Sequence, residues 1–182
     1  MLGQHAVGVE HALGAETAFG NHTLPLAEQI GQKTRKDDGD RVGAIRDRET
    51  YLRAGAADAA LLDKAARLLP RVRDHFDVQA IHLGIEALWS VLADTNRYIS
   101  SQEPWKSAKT DLERTATVLY VCAEVVRVVA LLSQPVMPES ANRILDLLAV
   151  DPERRQFTAV DDRLVAGTSL PAPSPVFPRY EA

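Results

Sequence analysis

The sequence predicts an all-α antiparallel helical bundle that ends in an extended, proline-rich C-terminal tail. Apolar residues recur every three or four positions in successive segments from Ala57 onwards, which is the spacing of amphipathic helices. A valine-rich segment that begins near Thr110 runs for about 22 residues, which is too long for a typical strand. Four prolines fall within the eight residues 171–178 and exclude a helix there.

Three parts are expected along the 182 residues. Residues 1–50 are predicted to be a poorly defined, irregular N-terminal extension, because they are rich in glycine and contain a mixed-charge run, 33–49, that is nearly without apolar residues. Such a run cannot bury enough apolar surface to order itself. Residues 51–160 are expected to form the helical domain and residues 161–182 the extended tail.

The first helical pattern, Ala57–Phe76, contains a proline at position 70. Proline removes a backbone donor and clashes with the preceding turn, so we expect a kink or a break at Pro70. A second helix is predicted over Val78–Ser100. Trp89 falls on the apolar stripe of that helix, and we expect it to lie in the core.

The third helix is predicted to begin near Thr110, since Thr110 and Glu113 have the spacing of a capping box. Within it, Glu124 and Arg127 are three residues apart, and the favoured interpretation is a structural ion pair. Cys122 is expected to be a small core residue.

A fourth helix is predicted from Pro138, which suits a first helical turn, to near Val150. The tail that follows is expected to be extended.

The polar connection between the second and third helices, 94–109, contains an adjacent proline and tryptophan, Pro104 and Trp105. A tryptophan there either folds back over a helix end or is held out to stack on a ligand. From the residue alone, packing is the favoured interpretation.

Composition narrows the function classes. The formal net charge of −4 argues against a protein that holds nucleic acid mainly by neutralising phosphates, although not against one that reads unstacked bases. The single cysteine excludes an internal disulfide. The sequence has no secretory signal and no apolar run expected to cross a bilayer, which favours a cytoplasmic protein without a membrane partner. It also has no glycine-rich phosphate loop, no metal-ligand cluster and no nucleophile with a spaced base.

Three strings carry a resemblance to a known family: "NRYISSQEPWKSAK" at 96–109, "VLYVCAEVVRVVALLSQPVMPESANRILDLL" at 118–148, and "GTSL" with "PSPVFPRYE" near the C-terminus. In this order they resemble the C-terminal anticodon-binding domain of methionyl-tRNA synthetase, a class I aminoacyl-tRNA synthetase. The resemblance covers roughly residues 56–182. Other class I synthetases for aliphatic amino acids share a similar bundle, but the terminal "PVFPR" favours the methionine enzyme.

The resemblance implies site residues. In the family the tryptophan of the Pro-Trp pair stacks on the first anticodon base of methionine tRNA, and the matching residues here are Pro104 and Trp105. With the resemblance, base stacking becomes the favoured role of Trp105. Asn96 and Tyr98 match the family's Asn-x-Tyr and are interpreted as mostly structural, holding the end of the second helix.

Three basic residues near the pair, Lys106, Lys109 and Arg114, are possible RNA-backbone contacts. For each of them a solvated charged face is an equally good interpretation, because acidic residues are interleaved. In the family the tail runs back toward the rest of the enzyme. The surface on which it would dock is not recognisable in this chain, so we expect Val176 and Phe177 to be exposed.

The resemblance is incomplete in two respects. First, the family's Asn-Leu-x-x-Arg motif cannot be placed, and residues 1–50 do not resemble the family. Second, neither ATP-handling signature of class I synthetases is present, so the chain is predicted to be inactive alone. No cofactor is expected in this chain, since ATP and methionine would bind only to a catalytic domain elsewhere.

The expected partner is methionine tRNA, and a catalytic synthetase domain on another chain is a further candidate partner. DNA is not an expected partner. Two alternatives remain open at this point. One is a helical protein-interaction module without an RNA role. The other is a non-functional truncated gene product.

Overall fold

The chain folds as a set of packed helices followed by an irregular C-terminal segment. A computed structural model describes residues 55–165 and 167–177, and within these ranges the chain contains helices and no strand. This confirms the all-α prediction, whereas the irregularity expected of residues 1–50 concerns residues outside the described ranges. The helices are α1 (Ala56–Ala66), α2 (Leu68–Asp77), α3 (Ile81–Gln102), α4 (Pro104–Ser107), α5 (Leu112–Ser133) and α6 (Pro138–Leu147), and two 3-10 turns follow, Pro152–Arg154 and Phe157–Ala159.

Helix α5 is the core of the fold. Every residue from Tyr120 to Ser133 is buried, including Cys122, which confirms its predicted place in the core. The helix packs against α1, α3, α4 and α6. A helix that is apolar on all sides is stable in water only when other elements surround it, and that is the arrangement found.

The length and composition of α5 would also allow it to cross a membrane, contrary to the expectation that no run is long and apolar enough. In this fold, however, 89% of its most apolar window is buried against the other helices. Such burial is typical of the central helix of a water-soluble bundle. By length and composition α5 is thus a candidate membrane span, and by packing it is a core helix.

The connection between α1 and α2 confirms the predicted break in the first helical pattern. Helix α1 ends at Ala66 and α2 begins at Leu68, with Arg67 between them. Pro70 therefore lies in the first turn of α2, where its missing N–H has no helical acceptor to lose. The break lies just before Pro70 because a proline disrupts the turn that precedes it.

Helix α3 begins at Ile81 rather than at the predicted Val78. The residues between α2 and α3 form a tight reversal, in which Ala80 N–H donates to His75 O at 2.8 Å. Gln79 has a φ of +60°, a left-handed conformation that a continuing helix does not contain. The reversal places α2 and α3 side by side, and the two helices pack closely.

Trp89 is not a core residue, which corrects the prediction. It is 51% exposed, on the outer side of α3. The buried side of α3 includes the small residues Gly84 and Ala87, and Gly84 is so close to Phe76 that a Cβ at Gly84 would lie 2.5 Å from Phe76 Cε1. The predicted stripe that contains Trp89 does not coincide with this buried side. The buried residues of α3 are Gly84, Ala87, Leu88, Val91, Thr95, Tyr98 and Ile99.

Asp111, and not Thr110, caps the N-terminus of α5. The helix begins at Leu112, and Asp111 Oδ1 accepts a hydrogen bond from Arg114 N–H at 2.9 Å. Thr110 N–H donates to Ser107 O at 3.0 Å and so belongs to the preceding turn. The predicted capping box is therefore wrong. Aspartate and threonine are both favourable caps, so the residue types alone do not choose between them.

Glu124 and Arg127 form the structural ion pair that the sequence predicts. Both side chains are buried, and Arg127 Nη2 lies 2.5 Å from Glu124 Oε1. Arg127 also donates to Ala159 O at 3.0 Å and to Val160 O at 2.8 Å. Leu164 N–H in turn donates to Glu124 Oε2 at 3.0 Å. The pair therefore attaches the segment after α6 to the middle of α5.

Helix α6 begins at Pro138 as predicted and ends at Leu147, before the expected Val150. A φ of +52° at Ala149 turns the chain away from the helix. The described C-terminal residues, 167–177, form neither helix nor strand, as expected of the proline-rich tail.

Val176 is buried at 5% exposure, so the prediction that it is exposed is wrong. Arg143 of α6 reaches the same residue, with its Nη1 3.5 Å from Val176 O. Phe177 is 48% exposed, as predicted. The folded chain itself thus covers one of the two apolar residues of the tail.

Candidate functional site

The short helix α4 presents the Pro104–Trp105 pair immediately after α3. Glu103 has a φ of +43° and ends α3. Proline disfavours a helical conformation in the residue before it, so the sequence itself terminates α3 at this point. Pro104 is buried as the first residue of α4, whereas Trp105 is 40% exposed. The chain therefore brings an indole to the surface on a turn whose first residue is fixed by packing.

The C-terminal end of α4 is tied to the first turn of α5. Ser107 Oγ and Thr115 Oγ1 share a hydrogen bond of 2.7 Å, and Asp111 N–H donates to Ser107 O at 2.7 Å. Thr115 Oγ1 also lies 2.9 Å from Asp111 O. These bonds leave the turn that carries Trp105 little freedom at this end.

A buried carboxylate, Asp58, joins α1, α3 and α5 close to the start of α4. Asp58 is 0% exposed. Its Oδ1 accepts hydrogen bonds from Tyr98 OH at 2.5 Å and Arg114 Nη2 at 2.8 Å. Its Oδ2 accepts from Arg114 Nη1 at 2.5 Å and Gly55 N–H at 2.7 Å. Arg114 Nη2 also donates to Gln102 Oε1, at the end of α3, at 2.5 Å.

The charges of these groups are stable near neutral pH. Burial raises the pKa of Asp58, but the hydrogen bonds from Arg114, Tyr98 and Gly55 outweigh it and hold that pKa below its ordinary value. Burial and the bond to Asp58 raise the pKa of the Tyr98 phenol. The hydrogen bond to Asp58 raises the pKa of Arg114. The cluster is therefore a permanently charged clamp rather than a site for proton transfer.

Tyr98 has the structural role predicted for it. It is buried at 7% exposure and joins the end of α3 to Asp58 of α1. Asn96 was predicted to share that role, but it lies exposed on the other side of α3. Of the two, Tyr98 is the one whose contacts hold the helix end.

The basic residues near Trp105 differ in their surroundings. Lys106 is exposed and pairs with Glu103 at 2.7 Å. Lys109 is exposed in the turn between α4 and α5. The Arg114 side chain keeps 30% of its surface accessible, but its guanidinium faces Asp58. The structure thus places two lysines and one arginine beside the turn, and their contact with RNA stays a prediction.

Asp58 is a residue of the candidate site that local sequence pattern does not predict. Asp58 is separated by forty residues from Tyr98 and by fifty-six from Arg114. One signal was present: Asp58 lies on the same helical stripe as Leu61, Leu62 and Ala65, which are all buried. A carboxylate on a buried stripe requires a partner, which predicts a buried ion pair without naming that partner.

Comparison with known proteins gives a consistent result. The family described as "Anticodon binding domain of methionyl tRNA ligase" matches residues 51–181. A methionine–tRNA ligase of Mycobacterium tuberculosis is 57% identical over an alignment of 129 positions, which covers 69% of this chain and 25% of that protein. One of Brucella suis is 41% identical over an alignment of 186 positions, which covers 94% of this chain and 36% of that protein. The chain thus spans between a quarter and just over a third of these relatives' length.

Solved structures agree with this family match. The crystal structure of the apo form of Mycobacterium tuberculosis methionyl-tRNA synthetase has a TM-score of 0.77 and 48% identity, covering 86% of this chain and 31% of that one. A structure of the same enzyme bound by methionyl-adenylate has a TM-score of 0.76 and 47% identity, covering 84% of this chain and 30% of that one.

The Brucella relative also corrects the interpretation of the first fifty residues. A match over 94% of the chain has to include part of residues 1–50, which the sequence analysis described as not resembling the family.

Proposed function

Because this chain belongs to the family of anticodon-binding domains of methionyl-tRNA ligase, we propose that it recognises the anticodon loop of methionine tRNA, with Trp105 as a base-stacking residue. The observation that carries the proposal is the exposed indole on α4, a turn held by packing at Pro104 and by the Ser107–Thr115 hydrogen bond. Stacking of an unpaired base on an aromatic side chain contributes about 1–3 kcal/mol. A turn that is already ordered loses less conformational entropy on binding, so more of that energy appears as affinity.

Lys106, Lys109 and Arg114 are proposed to face the RNA backbone. Lys106 and Lys109 are exposed, and both have flexible side chains that can reach a phosphate. Arg114 adds positive charge beside the turn while its guanidinium remains on Asp58. With a formal net charge of −4, this local cluster and base stacking would have to provide the attraction.

We further propose that the chain acts in the cytoplasm within methionine tRNA aminoacylation. ATP and methionine would be bound by a catalytic domain, either elsewhere in a longer polypeptide or on a separate chain. The bundle would then contribute tRNA selection, and the catalytic domain the chemistry.

Single-tryptophan variants test the proposal, because the chain contains two tryptophans. Trp89→Phe leaves Trp105 as the only indole, and Trp105→Phe leaves Trp89. Both are titrated with a hairpin RNA whose loop carries CAU, and with the same hairpin carrying a changed anticodon. We expect saturable quenching by the CAU hairpin in Trp89→Phe, since a stacked base quenches indole emission.

Trp105→Phe should show little quenching of Trp89 and weaker binding by fluorescence anisotropy of labelled RNA. Trp105→Ala should bind more weakly still, because it removes the stacking surface altogether. Equal affinity of Trp105→Ala and the parent chain, or equal affinity for both hairpins, would contradict the proposal.

A second candidate function is a protein-interaction module, which the outer side of α3 favours. Trp89 is 51% exposed there, and Ile81, about two turns earlier on the same side of the helix, is 42% exposed. Exposed apolar residues of this size are suited to docking on a protein. Salt separates the two functions, because RNA binding weakens steeply as salt rises and apolar docking does not.

A further inference from the structure

We infer that Asp58, through Arg114 and Gln102, positions the turn that carries Trp105, so that a residue of α1 controls RNA recognition at α4. This inference rests on the proposed function and assigns a role to a residue that does not touch the RNA. Asp58 is a positioning residue, since its carboxylate is buried and acts on the site through other side chains.

The path from Asp58 to the turn consists of consecutive hydrogen bonds. Both carboxylate oxygens bind the Arg114 guanidinium, at 2.5 and 2.8 Å. The same guanidinium donates to Gln102 Oε1 at 2.5 Å. Gln102 is the last residue of α3, and only Glu103 separates it from Pro104. The orientation of the first residues of α4 therefore depends on where Arg114 is held.

Both ends of α4 are connected by hydrogen bonds to the same turn of α5. Arg114 reaches the start of α4 through Gln102, and the next residue, Thr115, binds Ser107 at the end of α4. Asp58 and the Asp111 cap fix Arg114 by its side chain and its backbone N–H respectively. A shift of Arg114 would thus be transmitted to the turn and to the indole on it.

Alternatives to a positioning role fit the contacts less well. A general stabilising ion pair would have no need of the third acceptor, Gln102, which ties it to the end of α3. Direct RNA binding by Asp58 is excluded by its burial at 0% exposure and by its negative charge. The contacts favour a clamp that fixes the orientation of the α4 turn as well as stabilising the fold.

The test uses Asp58→Asn and Gln102→Ala, each in the Trp89→Phe chain. Asp58→Asn keeps the shape and removes the charge that holds Arg114. Gln102→Ala removes the acceptor at the end of α3, together with an exposed 3.3 Å hydrogen bond from Gln102 Nε2 to Ser101 Oγ. Glu124→Gln is the matched control, because it also neutralises a buried carboxylate on an arginine, but farther along α5. All variants are compared at a temperature at which circular dichroism shows them folded.

Two readouts are needed, one without RNA. Quenching of Trp105 by iodide in the isolated chain reports the exposure of the indole, and we expect it to change in Asp58→Asn and Gln102→Ala but not in Glu124→Gln. Affinity for the CAU hairpin should fall about fivefold or more in the first two variants, the scale of a modest coupling between sites. Glu124→Gln should bind as the parent does.

Unchanged iodide quenching in both Asp58→Asn and Gln102→Ala would overturn the inference, whatever the RNA result. Altered quenching with no hairpin binding by the parent chain would support the positioning role and refute the proposed function. Hairpin affinity lost equally in Glu124→Gln would also overturn the inference, because the effect would then follow stability and not the position of Arg114.

Discussion

Two arginine–carboxylate pairs attach other segments of the chain to α5. Arg114, in the first turn of α5, pairs with the buried carboxylate of Asp58 from α1. Arg127 and Glu124 lie near the middle of α5 and accept or donate to the backbone after α6. An apolar helix alone offers no directional contact to an irregular segment, whereas a charged pair satisfies the backbone groups that such a segment leaves unpaired.

Neutralising Glu124 should be costly. We expect Glu124→Gln to lower the free energy of unfolding by about 3 kcal/mol, because the Arg127 charge remains buried without its counter-charge. The exposed pair of Asp63 and Arg67 on α1 is the control, with 56% and 76% of the two side chains accessible. Asp63→Asn should change the free energy by less than about 1 kcal/mol. Urea unfolding followed by circular dichroism measures both, and equal effects would refute the assigned role of Glu124.

The two tryptophans have similar exposed fractions, but the helices that carry them are held in place differently. Trp89 projects from the middle of α3, and Trp105 from a four-residue helix clamped at both ends. Exposure alone therefore does not distinguish a recognition residue from a surface residue. The proposed assignment of Trp105 rests on the family resemblance and on the contacts that orient its turn.

At the scale of elements, α2 and α3 approach closely because Gly84 has no side chain. The ring of Phe76 occupies the space that a Cβ at Gly84 would need. Glycine within a helix is unfavourable by about 1 kcal/mol relative to alanine, so its presence is explained by this contact and not by helix propensity.

Gly84→Ala is accordingly expected to destabilise the chain by about 1–3 kcal/mol. The added Cβ would displace Phe76, and the cost of that overpacking should exceed the gain in helix propensity. Ser90→Ala, at an exposed position of the same helix, should be neutral or slightly stabilising. Thermal unfolding of both variants gives the comparison. If Gly84→Ala were as stable as Ser90→Ala, the close approach of Phe76 would not constrain this position.

The apolar pattern of helix α5 is compatible with two environments. Its valines and leucines would suit a bilayer or a bundle interior equally well. The neighbouring amphipathic helices decide between the two, since each has one apolar side that α5 covers. The most hydrophobic element of the described chain is thus the one with the smallest fraction of exposed residues.

At the scale of the whole molecule, the charge state of Asp58 links folding to pH. The folded-state pKa of Asp58 lies below its ordinary value of 3.8. The stabilisation that its charge provides is therefore fully present above that value and is lost as the pH falls through the lowered pKa. Acid should loosen the junction of α1, α3 and α5.

The measurement is the free energy of unfolding of the parent chain and of Asp58→Asn as a function of pH. We expect a constant difference between about pH 5 and 7 and a difference that shrinks below about pH 4, because the parent then also loses the charge. A difference that did not depend on pH would show that the carboxylate charge contributes nothing to folding.

Much of the fold could be predicted from local pattern. The helices, the break before Pro70, the ion pair of Glu124 and Arg127, and the burial of Cys122 each follow from residue types a few positions apart. The family was likewise recognisable from short strings, with the Pro104–Trp105 pair among them. Such features depend on backbone periodicity and on near neighbours, which the sequence by itself determines.

Other features were decided only when the helices packed. Which side of α3 is buried, that Trp89 lies outside and Val176 inside, and that Asp58 holds the turn of Trp105 all depend on contacts between residues far apart in the chain. Burial and partner choice are properties of the neighbouring element, and a helix pattern does not specify which neighbour it meets. For this reason the sequence identified the tryptophan of the candidate site, and the tertiary structure identified what holds it in place.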